Sequence, residues 1–243
     1  MNKRRMPHGK SLPEELANAM RRLESLGIIY PEGYYDTIIQ KYTHKTVPYP
    51  YIVMHIGDAR IKRHFFYPDI FKKPGDFLDY GCGTGDAIRQ LIRDGYPAER
   101  ITGYDVNDAS IRLGYDLFLD RDDMERRVVV SPAFPCLSEQ YDIVYSGSVI
   151  HVIGDEREVA GYLGNAHRTL KPNGIFFGST LGLPNEAPDR SNDGPPRLMR
   201  QQELAGSFAG TGFKKIRIVR EERPELQHSG RNFCLFQFSA KKL

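Results

Sequence analysis

The sequence predicts a three-layer α/β fold in which helices cover both faces of a mostly parallel, seven-stranded sheet. After Pro74, short runs rich in β-branched and aromatic residues alternate with stretches of helical periodicity. This alternation is typical of parallel strands joined by crossover helices. A chain of 243 residues has the length of one such domain. We therefore expect residues 71–243 to form the core and residues 1–70 an N-terminal helical cap segment of the same domain.

Seven runs have strand composition, and three segments between them have the apolar spacing of helices. The predicted strands are DFLDY, ITGYD, RVVVS, YDIVYS, GIFFGST, FKKIRIV and NFCLFQFSA. The predicted crossover helices are AIRQLIRDG, SIRLGYDLFLD and EVAGYLGNAHRTL, the last ending at KPNG. Residues 183–197 are rich in turn formers, which predicts an irregular loop.

The cap segment begins with LPEELANAMRRLESLG, whose apolar spacing predicts a helix with Ser11 as N-cap and a stop at Gly27. The residues from Tyr30 to Tyr67 are rich in tyrosine and proline, and they predict irregular structure. Such a segment either covers an active site or packs against the body of the domain, and both interpretations stay open.

Composition argues against several classes of protein without excluding a nucleic-acid partner. The formal charge of +3 demands no nucleic-acid partner, and the basic NKRR start is typical of a solvated terminus. The three cysteines form no C-x-x-C pair, which argues against zinc or redox chemistry and fits a reducing, cytoplasmic setting. No apolar stretch approaches the ~20 residues of a membrane span, so we expect no membrane association.

The stretch FLDYGCGTGDAI predicts a ligand-binding loop after the first strand. Gly81, Gly83 and Gly85 can adopt positive φ and bring backbone N–H groups close to a ligand. The dinucleotide template G-x-G-x-x-G fails in both registers, because Asp86 or Ile88 stands in place of its last glycine. The P-loop lysine is missing as well. An acid at the helix start favours a neutral or cationic ligand over a diphosphate.

A second signal lies at the end of the second predicted strand. Asp105 follows the last glycine by about twenty residues, where an acid can accept hydrogen bonds from both hydroxyls of a ribose. Val106 would then stand beside an adenine ring. Asp is also a common helix N-cap, but Asp108 already offers one for the next helix, so we favour the ribose interpretation for Asp105.

These motifs carry a family resemblance. In order and spacing, FLDYGCGTG, ITGYDVN, EQYDIVYSGSVIHVI and HRTLKPNGIFFGST resemble the Rossmann-like S-adenosylmethionine-dependent methyltransferases, over Asp76 to Thr180. PYPYIVMHIGDARIKRHFFYPDIF, followed by GDAIRQLIRDGYPAERITGYDVNDASIRLGYDLFLDRD, is similar to small methyltransferases of fungal secondary-metabolite clusters. Those act on meroterpenoid and polyketide intermediates, and some methylate carboxylates. Beyond Gly182 little of the chain resembles that group.

The resemblance implies S-adenosyl-L-methionine as cofactor, S-adenosyl-L-homocysteine as product, and a role for each matching residue. The three glycines would pass under the methionine part, and Asp79 would orient the loop and the cofactor's amino group. Asp105 would bind the ribose and Val106 the adenine. The family's acid after the third strand is absent, and Ser131 stands there instead. The predicted cofactor-binding residues are Asp79, Gly81, Gly83, Gly85, Asp105, Val106, Ser131 and Ser146.

His151, just past the fourth predicted strand, is the candidate catalytic base because histidine titrates near neutrality. The alternative is a structural histidine inside the apolar run SVIHVI. A phenol or alcohol acceptor would benefit from a base, whereas a carboxylate needs none. His44, His55 and His64 fit no zinc spacing, and we predict no metal site. Arg60, Lys62 and Arg63 form either a solvated face or a contact to an acidic acceptor.

We therefore expect a methyltransferase acting on a small natural-product-like acceptor between the cap segment and residues 183–197, by O-methylation of a carboxylate or hydroxyl. N- or C-methylation stays open, as does a non-transferring S-adenosylmethionine-binding protein such as a regulator, isomerase or cyclase. A short-chain reductase would need Y-x-x-x-K, which the chain lacks. YSGSVIH lacks the G-x-S-x-G of hydrolases. Oligomeric state is left open.

Overall fold

The protein forms a single seven-stranded sheet in the order β3-β2-β1-β4-β5-β7-β6. The computed structural model describes residues 11–43, 50–134, 138–186, 198–222 and 233–243. The strands are β1 (Phe77–Tyr80), β2 (Ile101–Asp105), β3 (Val128–Val130), β4 (Tyr141–Gly147), β5 (Leu170–Gly182), β6 (Lys214–Glu222) and β7 (Cys234–Lys241). Neighbouring strands among β1 to β5 are parallel, while β7 runs antiparallel to both β5 and β6. The predicted mostly parallel, seven-stranded sheet is confirmed.

Helices connect and cover these strands. They are α1 (Leu12–Glu24), α2 (Tyr34–Thr43), α3 (Asp86–Arg93), α4 (Asp108–Phe118), α5 (Arg121–Glu125), α6 (Glu156–Thr169) and α7 (Gln201–Gly210). The three predicted crossover helices correspond to α3, α4 and α6. Short 3₁₀ turns occur at Pro50–His55, Arg60–Arg63, Tyr67–Phe71, Ala98–Arg100 and Ile150–Val152. None of the helices in the described part of the chain combines the length and apolarity that a membrane crossing requires.

The sheet separates two hydrophobic clusters because side chains alternate along each strand. On β1, Phe77 packs in a cluster that includes Ile88 of α3, whereas its neighbour Leu78 packs in a cluster that includes Leu163 of α6 and Phe208 of α7. All five of these side chains are nearly or fully buried. The result is the predicted three-layer arrangement, with the α3 face and the α6 face on opposite sides of the sheet.

The N-terminal helix packs on the core through a third cluster. Leu16 and Leu23 of α1 are fully buried together with Leu113 and Leu117 of α4. Ser11 accepts a hydrogen bond from the Glu14 backbone N–H in a capping box, so the predicted N-cap is confirmed. The cap segment is therefore attached to the core by apolar burial. Its boundary at residue 70 stays a prediction.

The tyrosine-rich segment is more regular than predicted, because it contains the ten-residue helix α2. Its helix is stabilised from outside by Asp116 of α4. The Tyr34 hydroxyl donates to the Asp116 carbonyl at 2.8 Å. The Lys41 ammonium and the Tyr42 hydroxyl both donate to the Asp116 carboxylate. Tyrosine has modest helix propensity, so tertiary contacts override the local signal here.

The sequence also gave no indication of α7. Its Leu204 and Phe208 are fully buried, but the four-residue spacing of these two side chains is the main apolar signal in a segment that also holds Gly206. Glycine lowers helix propensity by about 1 kcal/mol relative to alanine, which hides the helix. In α4, Asn107 is the N-cap rather than Asp108, because the Asn107 side chain accepts from the Ala109 N–H.

Two helical glycines provide a matched test of the packing between α4 and the loop after β1. A Cβ on Gly114 would lie 2.2 Å from the Thr84 carbonyl oxygen, whereas a Cβ on Gly161 of α6 would meet nothing within 4 Å. We expect Gly114→Ala to lower the free energy of unfolding by about 1–3 kcal/mol. Gly161→Ala should leave it unchanged or raise it by up to about 1 kcal/mol. Urea denaturation of both variants measures the difference in stability. Equal stabilities would contradict the close contact between Gly114 and the Thr84 carbonyl.

Candidate functional site

The loop of residues 81–85, here called the glycine loop, has a backbone that only glycine adopts easily. Gly81, Gly83 and Gly85 have φ values of 84°, 56° and 78°. There is also no room for side chains. A Cβ on Gly81 would lie 2.4 Å from Val149 Cγ2, and one on Gly83 would lie 2.5 Å from Ile52 Cδ1. Side chains of the protein itself therefore occupy the positions that these Cβ atoms would take, and the approach of this backbone to a ligand stays a prediction.

Hydrogen bonds attach the glycine loop to the end of β2. The N–H groups of Gly81 and Cys82 both donate to the Tyr104 carbonyl, at 2.8 and 3.0 Å. The Gly83 N–H donates to Asp105 Oδ2 at 2.7 Å, and the Asn107 N–H donates to Asp105 Oδ1 at 2.8 Å. A carboxylate offers about four acceptor positions, so two backbone donors orient it and leave capacity for two more.

Asp79 lies beneath the glycine loop, on β1. It is 2% exposed, and its Cα is paired in the sheet with that of Tyr145 on β4. Burial raises the pKa of Asp79 well above its ordinary value, and the charges of Asp105 and Asp86 raise it further. A cation at this position would relieve that repulsion, so the electrostatics favour a positively charged ligand.

Asp86, which the sequence presents as an acid at the start of α3, connects the loop to the cap segment. Its Oδ1 accepts the Gly57 N–H at 2.9 Å, and its Oδ2 accepts the Thr84 hydroxyl. Burial raises the pKa of Asp86, while these two hydrogen bonds lower it. The cap segment therefore lies directly against the glycine loop, through Ile52 as well as Gly57.

The predicted adenine contacts lie together at the ends of β2 and β3. Val106 is 63% exposed beside Asp105. The Ser131 N–H donates to the Asp105 carbonyl at 3.2 Å, which holds the two strand ends together. The Ser131 hydroxyl donates to the Ala133 carbonyl at 2.8 Å. The structure thus brings Asp105, Val106 and Ser131 to one edge, with the Ser131 hydroxyl engaged in its own turn.

Ser146 is placed differently from the other predicted cofactor contacts. Its side chain is fully buried, and its hydroxyl is 2.8 Å from that of Tyr162 on α6. The Tyr162 hydroxyl donates to the Tyr80 carbonyl at 2.9 Å. Since side chains alternate along β4, Ser146 faces α6 while Tyr145 faces the α3 side. The Ser146 side chain is thus used inside the α6 layer instead of being presented at the strand ends.

His151 occupies the 3₁₀ turn that follows β4 and is 8% exposed. The Leu181 N–H donates to His151 Nδ1 at 3.4 Å, which places the ring proton on Nε2, and the Thr180 hydroxyl is 3.3 Å from Nδ1. Burial, and secondarily the positive charge of Arg60, lowers the pKa of His151 to about 3. The ring is therefore neutral at physiological pH and is a weak proton acceptor.

A small cleft lies between the cap segment, β5 and β7. Arg60, in the cap segment, donates through Nη1 to Ser148 Oγ at 2.6 Å, and the Ser148 N–H donates to the Ser179 carbonyl at 2.8 Å. Ser148 has φ 65°, an uncommon conformation for a non-glycine residue. The cleft has a volume of about 10 Å³, the space of about one water molecule, and is lined by Arg60, Arg63, His64, Ser179, Leu235 and Gln237.

Some residues singled out in the sequence lie outside the described part of the chain or away from the glycine loop. Residues 187–197, the larger part of the predicted acceptor loop, lie outside the described residues, as do His44 and the NKRR start. His64 is 4% exposed and its Nε2 lies 2.9 Å from the Gly178 carbonyl, while Nδ1 accepts the Phe66 N–H. The sequence did not indicate a role for Ser148, because serine has no preference for the positive φ that this residue adopts.

The sheet order, the glycine loop after β1 and the acid ending β2 are typical of α/β proteins that bind a nucleoside-containing cofactor at the strand ends. A family model described as a methyltransferase domain matches residues 56–218, and the chain belongs to that family. It is a class I S-adenosylmethionine-dependent methyltransferase domain. The family and the cofactor class that the sequence predicts are confirmed.

Curated relatives come from fungi. The Asnovolin E/Chermesin D methyltransferase of Aspergillus novofumigatus is 34% identical over 116 residues, covering 43% of this chain and 42% of the relative. A methyltransferase of Penicillium rubens is 28% identical over 51% of this chain and 54% of the relative. An O-methyltransferase of a fungal species is 28% identical over 70% of this chain and 62% of the relative. The chain spans about half the length of the curated relatives it matches.

Solved structures agree with the fold. A methyltransferase of Methanosarcina mazei superposes with a TM-score of 0.52 at 18% identity, covering 73% of this chain and 98% of that one. The phosphoethanolamine N-methyltransferase 2 of Haemonchus contortus, solved with S-adenosylhomocysteine, gives a TM-score of 0.52 at 18% identity over 68% of this chain and 48% of that one. The predicted Rossmann-like methyltransferase fold is confirmed.

The buried acid of β1 has a consequence for stability. Because the pKa of Asp79 is raised in the folded protein, its contribution to stability falls as pH rises above the unfolded pKa of about 3.9. Without cofactor, Asp79→Asn should raise the free energy of unfolding near pH 8 by about 1–3 kcal/mol. The gain should vanish near pH 3, where Asp79 is protonated in both states. Urea titrations across pH measure it.

The control for this substitution is Asp123→Asn, an acid whose side chain is 76% exposed. It should change stability by less than about 0.5 kcal/mol at either pH. A gain for Asp79→Asn that does not depend on pH would show that the effect does not come from the charge of Asp79.

Proposed function

We propose that the chain binds S-adenosyl-L-methionine along the glycine loop and transfers its methyl group to an oxygen of a small-molecule acceptor. The observation that carries this proposal is the Asp105 carboxylate, which the N–H groups of Gly83 and Asn107 orient at the tip of β2. The three glycines of the loop adopt positive φ and carry no side chains, which suits a ligand that contacts bare backbone.

Each cofactor-binding residue has a physical role in this proposal. Asp105 would accept hydrogen bonds from the ribose hydroxyls with the capacity that its two backbone donors leave. Asp79 would face the positive charge of the methionine part, where its own burial is otherwise unfavourable. Val106, exposed beside Asp105, would cover one face of the adenine. Ser131 would shape the adenine side through its backbone.

When bound, the cofactor supplies a methyl group already activated by a sulfonium. The chain must then hold an acceptor atom in line with that methyl group and exclude water. His151 has a pKa of about 3, so it would take a proton from a hydroxyl only against a large free-energy difference. A carboxylate acceptor is ionised at neutral pH and requires no base. We therefore propose a carboxylate as acceptor ahead of a hydroxyl.

The names of two relatives support methyl transfer to an oxygen atom and a natural product as the acceptor. One fungal relative, aligned over 70% of this chain, is called an O-methyltransferase. Another is named for asnovolin E and chermesin D. N- or C-methylation, or cofactor binding without transfer, are the alternatives to be tested. A cytoplasmic location and a small-molecule partner in place of nucleic acid stay predictions for the whole protein.

Calorimetry with S-adenosylmethionine, S-adenosylhomocysteine and NAD tests the cofactor assignment. We expect binding of the first two and no response to NAD. Asp105→Ala should lower the affinity for S-adenosylmethionine and for S-adenosylhomocysteine by about 10- to 100-fold, which is the loss expected for hydrogen bonds to a charged acceptor. Asp108→Ala, which removes an acid three residues away whose side chain is 53% exposed, should retain wild-type affinity. Tight binding of NAD alone would overturn the assignment.

Turnover tests His151 and the acceptor class together. Conversion of S-adenosylmethionine to S-adenosylhomocysteine is measured across a panel of carboxylates and phenols. His151→Ala should lower turnover more than cofactor affinity, because His151 lies in the 3₁₀ turn after β4 and not on the glycine loop or at the end of β2. With a carboxylate acceptor, turnover should show no step between about pH 5 and 9, because His151 stays neutral throughout.

Two results would contradict these expectations. Turnover that rises with pH through the acceptor's own pKa would identify a hydroxyl as the methylated group. Unchanged turnover in a folded His151→Ala variant would remove His151 from the mechanism.

A further inference from the structure

A buried arginine on α3 holds the glycine loop by one of its backbone carbonyl groups. Arg89 is 6% exposed, and its Nη1 donates a hydrogen bond to the Thr84 carbonyl oxygen. No space is left between this side chain and the loop, since a Cβ on Gly85 would lie 2.8 Å from Arg89 Nη1. The guanidinium therefore packs directly on the backbone of the loop.

Asp120, between α4 and α5, fixes the direction of this guanidinium. Arg89 Nε and Nη2 donate to the two carboxylate oxygens of Asp120, each at 2.7 Å, in a bidentate geometry that defines the orientation of an arginine. The guanidinium also lies 3.9 Å from the centre of the Phe118 ring. All three nitrogens of the side chain thus donate hydrogen bonds within the protein, and its charge is paired with Asp120.

The peptide group between Thr84 and Gly85 is held at both of its ends. Its carbonyl accepts the hydrogen bond from Arg89, and its N–H donates to the Cys82 carbonyl at 2.8 Å. Because the peptide group is planar, its C=O and N–H turn together, and a rotation would break both bonds and change the φ of Gly85, which is 78°. Glycine tolerates many φ values, so the loop sequence alone does not select this one. Arg89 supplies the missing constraint.

The position of Thr84 matters for the contact between the loop and β2. Helix α4 confines the same carbonyl, since a Cβ on Gly114 would lie 2.2 Å from its oxygen. The residue before Thr84 is Gly83, whose N–H donates to the Asp105 carboxylate at 2.7 Å. A rotation at Thr84 would therefore displace the donor that orients Asp105.

We propose that Arg89 is a positioning residue for the cofactor. It holds the peptide between Thr84 and Gly85 in the orientation that lets the glycine loop and Asp105 bind, and Asp120 holds Arg89. The inference rests on the proposed function and adds a residue that acts through the loop. Because the effect is one of geometry, it should apply equally to S-adenosylmethionine, which carries a sulfonium charge, and to S-adenosylhomocysteine, whose sulfur is neutral.

A double variant removes the Arg89–Asp120 pair without changing the net charge. Arg89→Met combined with Asp120→Asn leaves no unpaired carboxylate, so electrostatics favour neither ligand over the other. Calorimetry on the full chain should show that both affinities fall by about tenfold, the loss expected for a hydrogen bond from a charged group. The ratio of the two affinities should stay within about twofold of the wild-type ratio.

The matched control is an exposed pair on the neighbouring helix. Arg126 and Asp123 form an ion pair at 2.7 Å, with side chains that are 64% and 76% exposed. Arg126→Met combined with Asp123→Asn makes the same chemical change on α5 and should keep both affinities within about twofold of wild type.

Hydrogen exchange measures the loop itself and separates positioning from general stability. In the double variant at Arg89 and Asp120, the amides of residues 81–85 should exchange faster, while those of β4 keep their wild-type rates. A role of the pair in stability alone would leave the affinities of the folded protein and the relative protection of the loop unchanged. If the double variant lacks a cooperative urea transition, Arg89→Lys replaces it. Lysine keeps the charge but cannot make the three hydrogen bonds together, so both affinities should still fall.

Each outcome has one meaning. Absence of binding of either ligand to wild type would refute the proposed function itself. Normal wild-type binding that persists in the folded variants at Arg89 would overturn only the role of Arg89. An equal loss in the control pair, or a loss confined to one of the two ligands, would overturn that role as well.

Discussion

The hydrogen bond from the Gly83 N–H to the Asp105 carboxylate is the contact on which the arrangement of the site depends. It joins the loop after β1 to the end of β2, so the two elements that we propose to bind the cofactor keep a constant distance from each other. The loop can make this bond only because its glycines adopt positive φ. Surrounding elements then close on the bare backbone, with Ile52 of the cap segment on one side and Gly114 of α4 on another.

Three partly or fully buried carboxyl groups lie near the glycine loop, and their burial lowers the stability of the cofactor-free protein. Asp79, Asp86 and Asp105 all have raised pKa values, chiefly through burial. Burying carboxylates near one another is unfavourable until a cation neutralises them. The positive charge of Arg60 acts in the opposite sense, because it lowers the pKa of Tyr145, which burial and the charge of Asp79 raise.

Most of the fold was predictable because its signals are local. All seven strands stand where period-two or continuous apolar runs placed them, and the three crossover helices follow from the 3.6-residue spacing. The exceptions are the helices with weak local signals. Helix α2 exists because Asp116 of α4 accepts hydrogen bonds from its tyrosines, and α7 because Leu204 and Phe208 fill the α6 face. Neither cause is visible within the segment itself.

The sequence by itself determined two features of the proposed cofactor site. These features are glycine at alternate positions after β1 and an acid about twenty residues later. Both are local patterns, so a short stretch of sequence is enough to recognise them. Only the tertiary structure decided that Ser146 faces α6, that His151 is buried and neutral, and that Arg60 meets Ser148 across 88 residues of chain. Burial and electrostatic potential are sums over neighbours distant in sequence, so these properties exist only once the layers have packed.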